Sequence, residues 1–527
     1  MGENIRLTLP AYFNNTVKVF GDNDAYSFVG EKAMSFSEVG KKVSSLIAYL
    51  EKIGVKPGDK VAILSTNIPN WGITYFAITS MGATAVPLLP DFSPIELANI
   101  IKHSEAKVVF VSRALKSKIE EVSNEFLESR ILIDDFSILN SPVEGVSFDE
   151  EAEQKESYNV EEDDLAAIIY TSGTTGSSKG VMLTHKNLMF DAVSAKVVQP
   201  VNEKDRFLSI LPLSHTYENT LGLILPLIGG AHVYYLRKPP TPTVLLPALK
   251  KVRPTIMLTV PLIIEKIYRK SILPKFNSNP VIKVLYKIPL IRKKLNAIAG
   301  KQLYETFGGK LHFFGVGGAK LDGTVERFLR EAKFPYAIGY GLTETAPMIA
   351  GAAPADSRWQ GVGPAMAGVE MIIHNPDKKT GEGEVWAKGP NVMKGYYKDP
   401  IRTKEVLTDD GWFKTGDLAI IDKKGFLFVR GRIKNMILGA TGENIYPEDI
   451  ESVINNFRYV VESVVVQKKG KLVALVHFNQ EEFEKQFRHL KDDVTRYMDD
   501  KLDDLAIELQ QYVNSRVSRF CSLVLVI

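Results

Sequence analysis

A chain of 527 residues is longer than one hydrophobic core usually serves, so two or more domains are expected. Hydrophobic residues make up 45% and charged residues 24%, as in an ordinary globular protein, and 65 basic against 62 acidic side chains leave a net +3 that gives no argument for a nucleic-acid partner. One cysteine, Cys521, excludes an intrachain disulfide and fits a reducing cytoplasm. The first residues carry no basic stretch followed by an apolar one, and the longest apolar run, 221–228, is interrupted by Gly222 and Pro226 and too short to span a bilayer. The protein is therefore expected to be soluble or peripheral, at most touching the inner face of a membrane.

From about residue 40, short apolar strands alternate with amphipathic helical stretches. A strand at 61–64 is followed by a helix over 69–81, a strand at 84–87, a helix from 94 to about 103 and a strand at 107–111. The rhythm continues with strands at 165–170, 207–211, 232–236, 255–259 and 311–316. Alternation on this scale predicts a doubly wound α/β fold with parallel sheets. Between 266 and 310, lysines and arginines face the single acid Glu305, with Val284, Ile288 and Leu290 among the interleaved apolar residues. That mixture suits a helix lying in a lipid interface, and equally a solvated basic face over a buried apolar side. Composition changes near 360, where 369–373, 383–388, 418–421 and 426–429 read as a small antiparallel β unit. Residues 431–435 then open a smaller domain with a helix at 447–456 and strands at 460–467 and 472–478. A charge-rich helical hairpin is expected over 481–517, and an apolar strand-like run over 522–527.

The segment most telling for chemistry follows the strand at 165–170. From Thr171 to Gly180 the chain reads Thr-Ser-Gly-Thr-Thr-Gly-Ser-Ser-Lys-Gly: glycines, small hydroxyls and one lysine. Glycines let backbone N–H groups close around an anion, hydroxyls add donors, and Lys179 supplies a point charge, so the loop is suited to a polyphosphate. It is not a Walker A loop, because Lys179 is followed by Gly180 rather than Ser or Thr.

This loop resembles the phosphate loop of the adenylate-forming superfamily, which includes acyl-CoA synthetases, peptide-synthetase adenylation domains and luciferases. Gly339-Tyr340-Gly341-Leu342-Thr343-Glu344-Thr345 resembles that family's adenine and magnesium segment, Thr415-Gly416-Asp417 its ribose segment and Gly431-Arg432-Ile433-Lys434 its hinge, all in the family's order. The resemblance runs from about residue 10 to the end. It implies a large N-terminal domain over 1–431 with doubly wound sheets and a small β-barrel-like subdomain at about 360–430, a hinge at 432–434, and a small, mobile α+β domain over 435–527.

The implied activity couples a carboxylic acid to a thiol. A carboxylate is inert toward thiols until attack on the α-phosphorus of ATP gives it AMP as a leaving group. Thr171, Ser172, Gly173, Thr174, Thr175, Gly176 and Lys179 are assigned to the phosphates, and Glu344, beside Thr343, to Mg²⁺ held jointly with the triphosphate. Tyr340 offers a face to adenine, with Gly317, Gly318 and Ala319 on the other side. Asp417 takes the ribose hydroxyls with Arg432 beside it, and Lys434 is the pivot. His215, in Leu-Ser-His-Thr-Tyr-Glu, is placed either to steady the carboxylate or to gate the thiol, and Gly442-Glu443-Asn444 near the thiol's entry.

No aspartate follows the His215 segment to pair with an amino acid's ammonium, which favours a fatty or other uncharged acyl group; the segments around His215 and Gly442 look most like the family's long-chain branch, which implies a medium- or long-chain fatty acid, with coenzyme A or an acyl carrier protein as acceptor. The family's adenylating lysine lies in a Pro-Thr-Gly-Lys-like segment that is not matched here. A truncated or divergent chain impaired in adenylation is the remaining alternative.

Overall fold

The computed structural model describes residues 5–120, 122, 126–171, 178–277, 279–438, 444–468, 470–479, 494–518 and 521–526. By compactness the chain divides into two units. The first comprises Met1–Ile372, Trp386–Thr415 and Asp422–Leu427, and the second Ile373–Val385, Gly416–Ile421 and Phe428–Ile527.

The first unit holds two eight-stranded sheets. One runs in the order Met348–Gly351, Tyr336–Gly341, Phe313–Val316, Ile256–Thr259, Arg206–Leu208, His232–Tyr235, Asp24–Phe28, Met34–Ser35. The other runs Gly395–Tyr396, Lys179–Thr184, Leu165–Thr171, Thr84–Leu88, Lys60–Leu64, Ala106–Val111, Ser129–Leu132, Ile138–Asn140. Their interiors are parallel, and Val61 to Leu64 and Thr84 to Leu88 are buried on both faces, which is why such strands read as unbroken apolar runs. The sheets are nonetheless mixed rather than purely parallel. Met348–Gly351, Met34–Ser35 and Ile138–Asn140 pair antiparallel at their edges, and so do Lys179–Thr184 and Gly395–Tyr396.

Helix boundaries follow local chemistry. Ser35 with Glu38, Ser93 with Glu96 and Thr184 with Asn187 each close a reciprocal capping box, satisfying amide donors that the first turn leaves open. Pro69 and Pro94 open their helices where no N–H is needed. The helix Pro69–Ser80 is buried almost all round, from Trp71 to Thr79, because it packs against strands of both eight-stranded sheets.

The strands Glu370–His374, Gly383–Lys388, Phe413–Ile421 and Leu427–Arg432 form a four-stranded sheet through which the division between units passes. In the second unit, Val460–Lys468 and Lys471–Phe478 pair antiparallel, and Leu525–Val526 adds in parallel to the latter. Ile450, Ile454, Leu505, Leu509 and Val513 fill this unit's core. Of the expected hairpin over 481–517, the described part is the helix Val494–Asn514, and 480–493 lie outside the described residues. Among the described residues no helix is long and apolar enough to cross a membrane.

Candidate active site

The run from Thr171 to Gly180 joins two antiparallel strands. Thr171 is the last residue of one strand and pairs with Lys179, the first of the next. Ser172, Gly173, Thr174, Thr175 and Gly176 lie outside the described residues. The hydroxyl of Thr171 is buried without a hydrogen-bond partner, as suits a donor kept for an incoming group.

Lys179 Nζ donates to the Tyr396 hydroxyl at 3.2 Å, and that hydroxyl donates to Glu344 Oε1 at 2.8 Å. Lys179 stands 3.6 Å from the same carboxylate oxygen and 4.7 Å from the centre of the Tyr396 ring. A cation, a phenol and a carboxylate thus converge at the root of the hairpin. Tyr396 had no signal of its own in the sequence. Its strand reaches the site by pairing Gly395 with Met182 and Tyr396 with Val181.

Glu344 is 7% exposed, on a short 3₁₀ turn, Thr343–Thr345, after the strand Tyr336–Gly341. The turn is fixed from several sides. Thr345 Oγ1 donates to the Pro347 carbonyl at 2.7 Å, Asn391 Nδ2 to the carbonyls of Thr345 and Met348 at 3.2 and 2.7 Å, and Met393 N to the Glu344 carbonyl at 2.9 Å. Buried Asp191 accepts from Met348 N at 3.0 Å, and burial raises its carboxyl well above the usual range. Gly341 has a steric reason to be glycine: a Cβ there would lie 1.7 Å from the Pro347 carbonyl oxygen. Tyr340 is half-buried and pairs with Ala350, Gly317 is buried, and Gly318 and Ala319 are exposed beyond the strand Phe313–Val316.

His215 caps a short helical turn, its Nδ1 accepting from Tyr217 N at 3.2 Å. Its ring is solvent-accessible, and desolvation by the surrounding protein lowers its pKa, favouring the neutral imidazole. Just beyond it opens a narrow apolar pocket of about 50 Å³, lined by Tyr217, Leu221, Leu225, Gly315, Gly339 and Met348 among others. Gly339 and Met348 flank the turn that carries Glu344, so pocket and carboxylate share one piece of chain.

In the second unit, Arg432 Nε lies 2.8 Å from Oδ1 of buried Asp417, and the Ile433 amide donates to the Gly416 carbonyl at 2.9 Å. Gly416 takes a positive φ of 73° and its amide donates to Glu384 Oε1 at 3.0 Å. Lys434 is exposed in the turn after Arg432. Gly442 and Glu443 lie outside the described residues, and Asn444 begins a short strand.

Among the described residues no three acidic, histidine or cysteine side chains gather as a metal cage.

Known proteins resemble this chain over most of its length. The chain matches the AMP-binding enzyme family over residues 13–397. It is 30% identical to long chain acyl-CoA synthetase 6, peroxisomal, of Arabidopsis thaliana over 85% of this chain and 68% of that protein. It is 28% identical to the same plant's chloroplastic long-chain-fatty-acid–[acyl-carrier-protein] ligase AEE15 over 90% and 76%. ATP-bound MatB from Rhodopseudomonas palustris shares the fold, with a TM-score of 0.77 at 24% identity over 99% of this chain and 94% of that one. The chain belongs to the AMP-binding enzyme family, within the adenylate-forming superfamily.

Proposed function

We propose that this protein is an acid–thiol ligase that activates a medium- or long-chain fatty acid with ATP and passes the acyl group to coenzyme A. The observation that carries this reading is the Lys179–Tyr396–Glu344 cluster, whose Glu344 turn shares its chain segment with a predominantly apolar pocket. The fatty acid carboxylate attacks the α-phosphorus, pyrophosphate leaves, and the acyl-adenylate forms. The thiol then attacks the acyl carbon and AMP leaves. Lys179 and the hydroxyls of the hairpin hold the phosphates, which lowers the cost of charge moving onto pyrophosphate. Glu344, with Thr343 beside it, is the protein's ligand for Mg²⁺, which when bound neutralises phosphate charge. Tyr340 and the 317–319 segment take adenine, Asp417 braced by Arg432 takes the ribose hydroxyls, and Lys434 is the pivot between the two reactions. His215 closes the acyl end of the site as a neutral imidazole. The test is acid-dependent release of pyrophosphate from ATP, measured with acids from eight to eighteen carbons. No acid-dependent release with any of them rejects the assignment.

The identity to an acyl-carrier-protein ligase supports a second reading, in which only the acceptor differs. Following the acyl group onto coenzyme A or onto acyl carrier protein decides between them.

A peripheral membrane contact is part of the proposal. Val281, Val284 and Ile288 recur at helical spacing and are exposed, as are Leu290, at 75%, and Ile298. Lys283, Lys287, Lys293, Lys294 and Lys301 are exposed around them. The helix Pro289–Thr306 buries Asn296, Gly300 and Leu303 on its inner side, so these apolar residues are not that helix's core face. Exposed apolar anchors ringed by lysines suit the surface of an anionic bilayer, where fatty acids partition.

A further inference from the structure

The pocket wall has a second face. After His215 the chain forms a short α turn, Thr216–Glu218, then a π-helical turn, Asn219–Ile224, then the helix Leu225–Gly229. Tyr217, Leu221 and Leu225, four residues apart, line the apolar pocket. Glu218 and Gly222 recur at the same spacing on another face, and neither lines the pocket. A Cβ on Gly222 would lie 2.7 Å from the Glu218 carboxyl carbon, so residue 222 stays bare to leave room for that carboxyl.

Glu218 is wholly enclosed. Ser209 Oγ donates to its Oε1 at 2.6 Å, and Asn67 Nδ2 donates to Ser209 Oγ at 2.9 Å. Asn67 also donates to the Leu211 carbonyl at 2.6 Å and accepts from Leu213 N at 3.0 Å, which braces the segment leading to His215. Also facing this cell are Tyr75 on the helix Pro69–Ser80, Tyr26 and Tyr235 on adjacent strands, Tyr217 and Asn219. Among the described residues, Glu218 Oε2 and the hydroxyls of Tyr26 and Tyr235 are buried without hydrogen-bond partners, and the Tyr75 hydroxyl faces the Asn219 side chain. An apolar filling of the same volume would avoid that cost, so stability alone does not account for the cell. The turn also reaches the metal segment: Thr220 Oγ1 donates to the Ala346 carbonyl at 2.9 Å, two residues beyond Glu344. π-turns inside α-helices recur at functional sites.

We infer that Glu218 is a positioning residue that, with Ser209 and Asn67, seats the Asn219–Ile224 turn and so sets both the wall of the acyl pocket and, through Thr220, the placement of the Glu344 segment. Burial pushes the Glu218 carboxyl up to about 8, opposed by the Ser209 hydrogen bond, so the group acts as an uncharged acid at neutral pH. The inference rests on reading that pocket as the acyl site.

The experiment measures kcat and KM for acids of eight to eighteen carbons in Leu225→Trp, Glu218→Gln, Glu218→Leu, Gly222→Ala and Thr220→Val. Leu225→Trp fills the pocket and tests the acyl-site reading itself: it should favour short acids, and an unchanged chain-length profile would overturn that reading rather than this one. Glu218→Gln keeps shape and neutrality and should stay within about threefold of the parent enzyme at every length. Glu218→Leu, and Gly222→Ala should the former not fold, should lower kcat/KM for sixteen carbons about tenfold relative to eight, leaving KM for ATP near its original value. Thr220→Val should lower kcat about tenfold at unchanged KM for the acid. Equal loss at all chain lengths would reduce Glu218 to a structural residue. Loss in Glu218→Gln as deep as in Glu218→Leu would mean the charge matters, and a silent Thr220→Val would break the link to Glu344.

Discussion

Lys179 reaches Glu344 both directly, at 3.6 Å, and through the Tyr396 hydroxyl, so the three side chains act as one electrostatic unit. Lys179→Ala and Glu344→Ala should each slow acid-dependent pyrophosphate exchange on the order of 10- to 1,000-fold, the scale for deleting one preorganised stabiliser. Tyr396→Phe removes only the bridging hydroxyl and should cost less, about tenfold, with the ring still stacked on Lys179. Unchanged exchange in the Lys179 and Glu344 variants would remove both from the site. Gly341→Ala should be as damaging as losing a ligand, because its Cβ would sit 1.7 Å from a backbone carbonyl that cannot step aside without moving Glu344's turn. A Gly341→Ala enzyme with full exchange activity would show that the turn tolerates the shift. At this scale, what the sequence reveals is set by locality. Lys179 and Glu344 sit in short segments whose composition has few uses. Tyr396, Asp191 and Glu218 lie amid ordinary residues and gain their meaning from strand pairing and burial that no local pattern encodes.

Elements buried on both faces were the easiest to read, because 61–64, 84–87 and 107–111 are unbroken apolar runs and the structure has strands at Lys60–Leu64, Thr84–Leu88 and Ala106–Val111. The antiparallel edges were not legible, since pairing direction is decided by what lies beyond the strand, and the phosphate hairpin is the clearest case. Nor was the π-turn, whose apolar run from Leu221 looks like any buried helix. The basic stretch over 266–310 left two readings open that the structure separates in part: Leu303 and Gly300 face inward, while Val281, Val284 and Leu290 face out among lysines. A lipid-facing element predicts that the protein co-sediments with vesicles containing anionic lipid, less well with neutral ones, and progressively less as salt screens the lysines. Replacing Val284 and Leu290 by aspartate should abolish recovery on anionic vesicles without changing activity on a short, water-soluble acid. Equal recovery on neutral and anionic vesicles would reject the element as a membrane contact.

Across the whole molecule, buried ionisable groups tie stability to pH. The histidines shifted furthest are His185, whose Nδ1 accepts from Leu9 N at 3.2 Å, and His232, 2.9 Å from Ser27 Oγ, both pushed down to about 4 by burial. Two carboxyls are held protonated, Glu218 at about 8 and Asp191 well above its usual range, again by burial. A histidine with a lowered pKa makes the folded state bind fewer protons than the unfolded chain, so its contribution falls as pH drops from about 6.5 toward 4. A carboxyl with a raised pKa has the opposite sign. The unfolded chain releases a proton above about 4.5 that the folded state keeps, so stability falls as pH rises toward 8. Between about 4.5 and 6.5 the two pairs oppose each other with equal slopes and cancel. Above 6.5 these histidines are neutral in both states and the raised carboxyls remain, Glu218 lowering stability by about 1.4 kcal/mol per pH unit until it too ionises near 8. The melting temperature should therefore be nearly flat from pH 5 to 6.5 and then decline toward pH 8. Glu218→Gln removes one of the protons at stake, so it should make that decline shallower and, by leaving the histidines opposed by one carboxyl fewer, make the melting temperature rise from pH 5 to 6.5. Parallel melting curves for the two proteins from pH 6.5 to 8 would show that Glu218 is already ionised in the fold, and the uncharged cell behind the acyl pocket would fall with it.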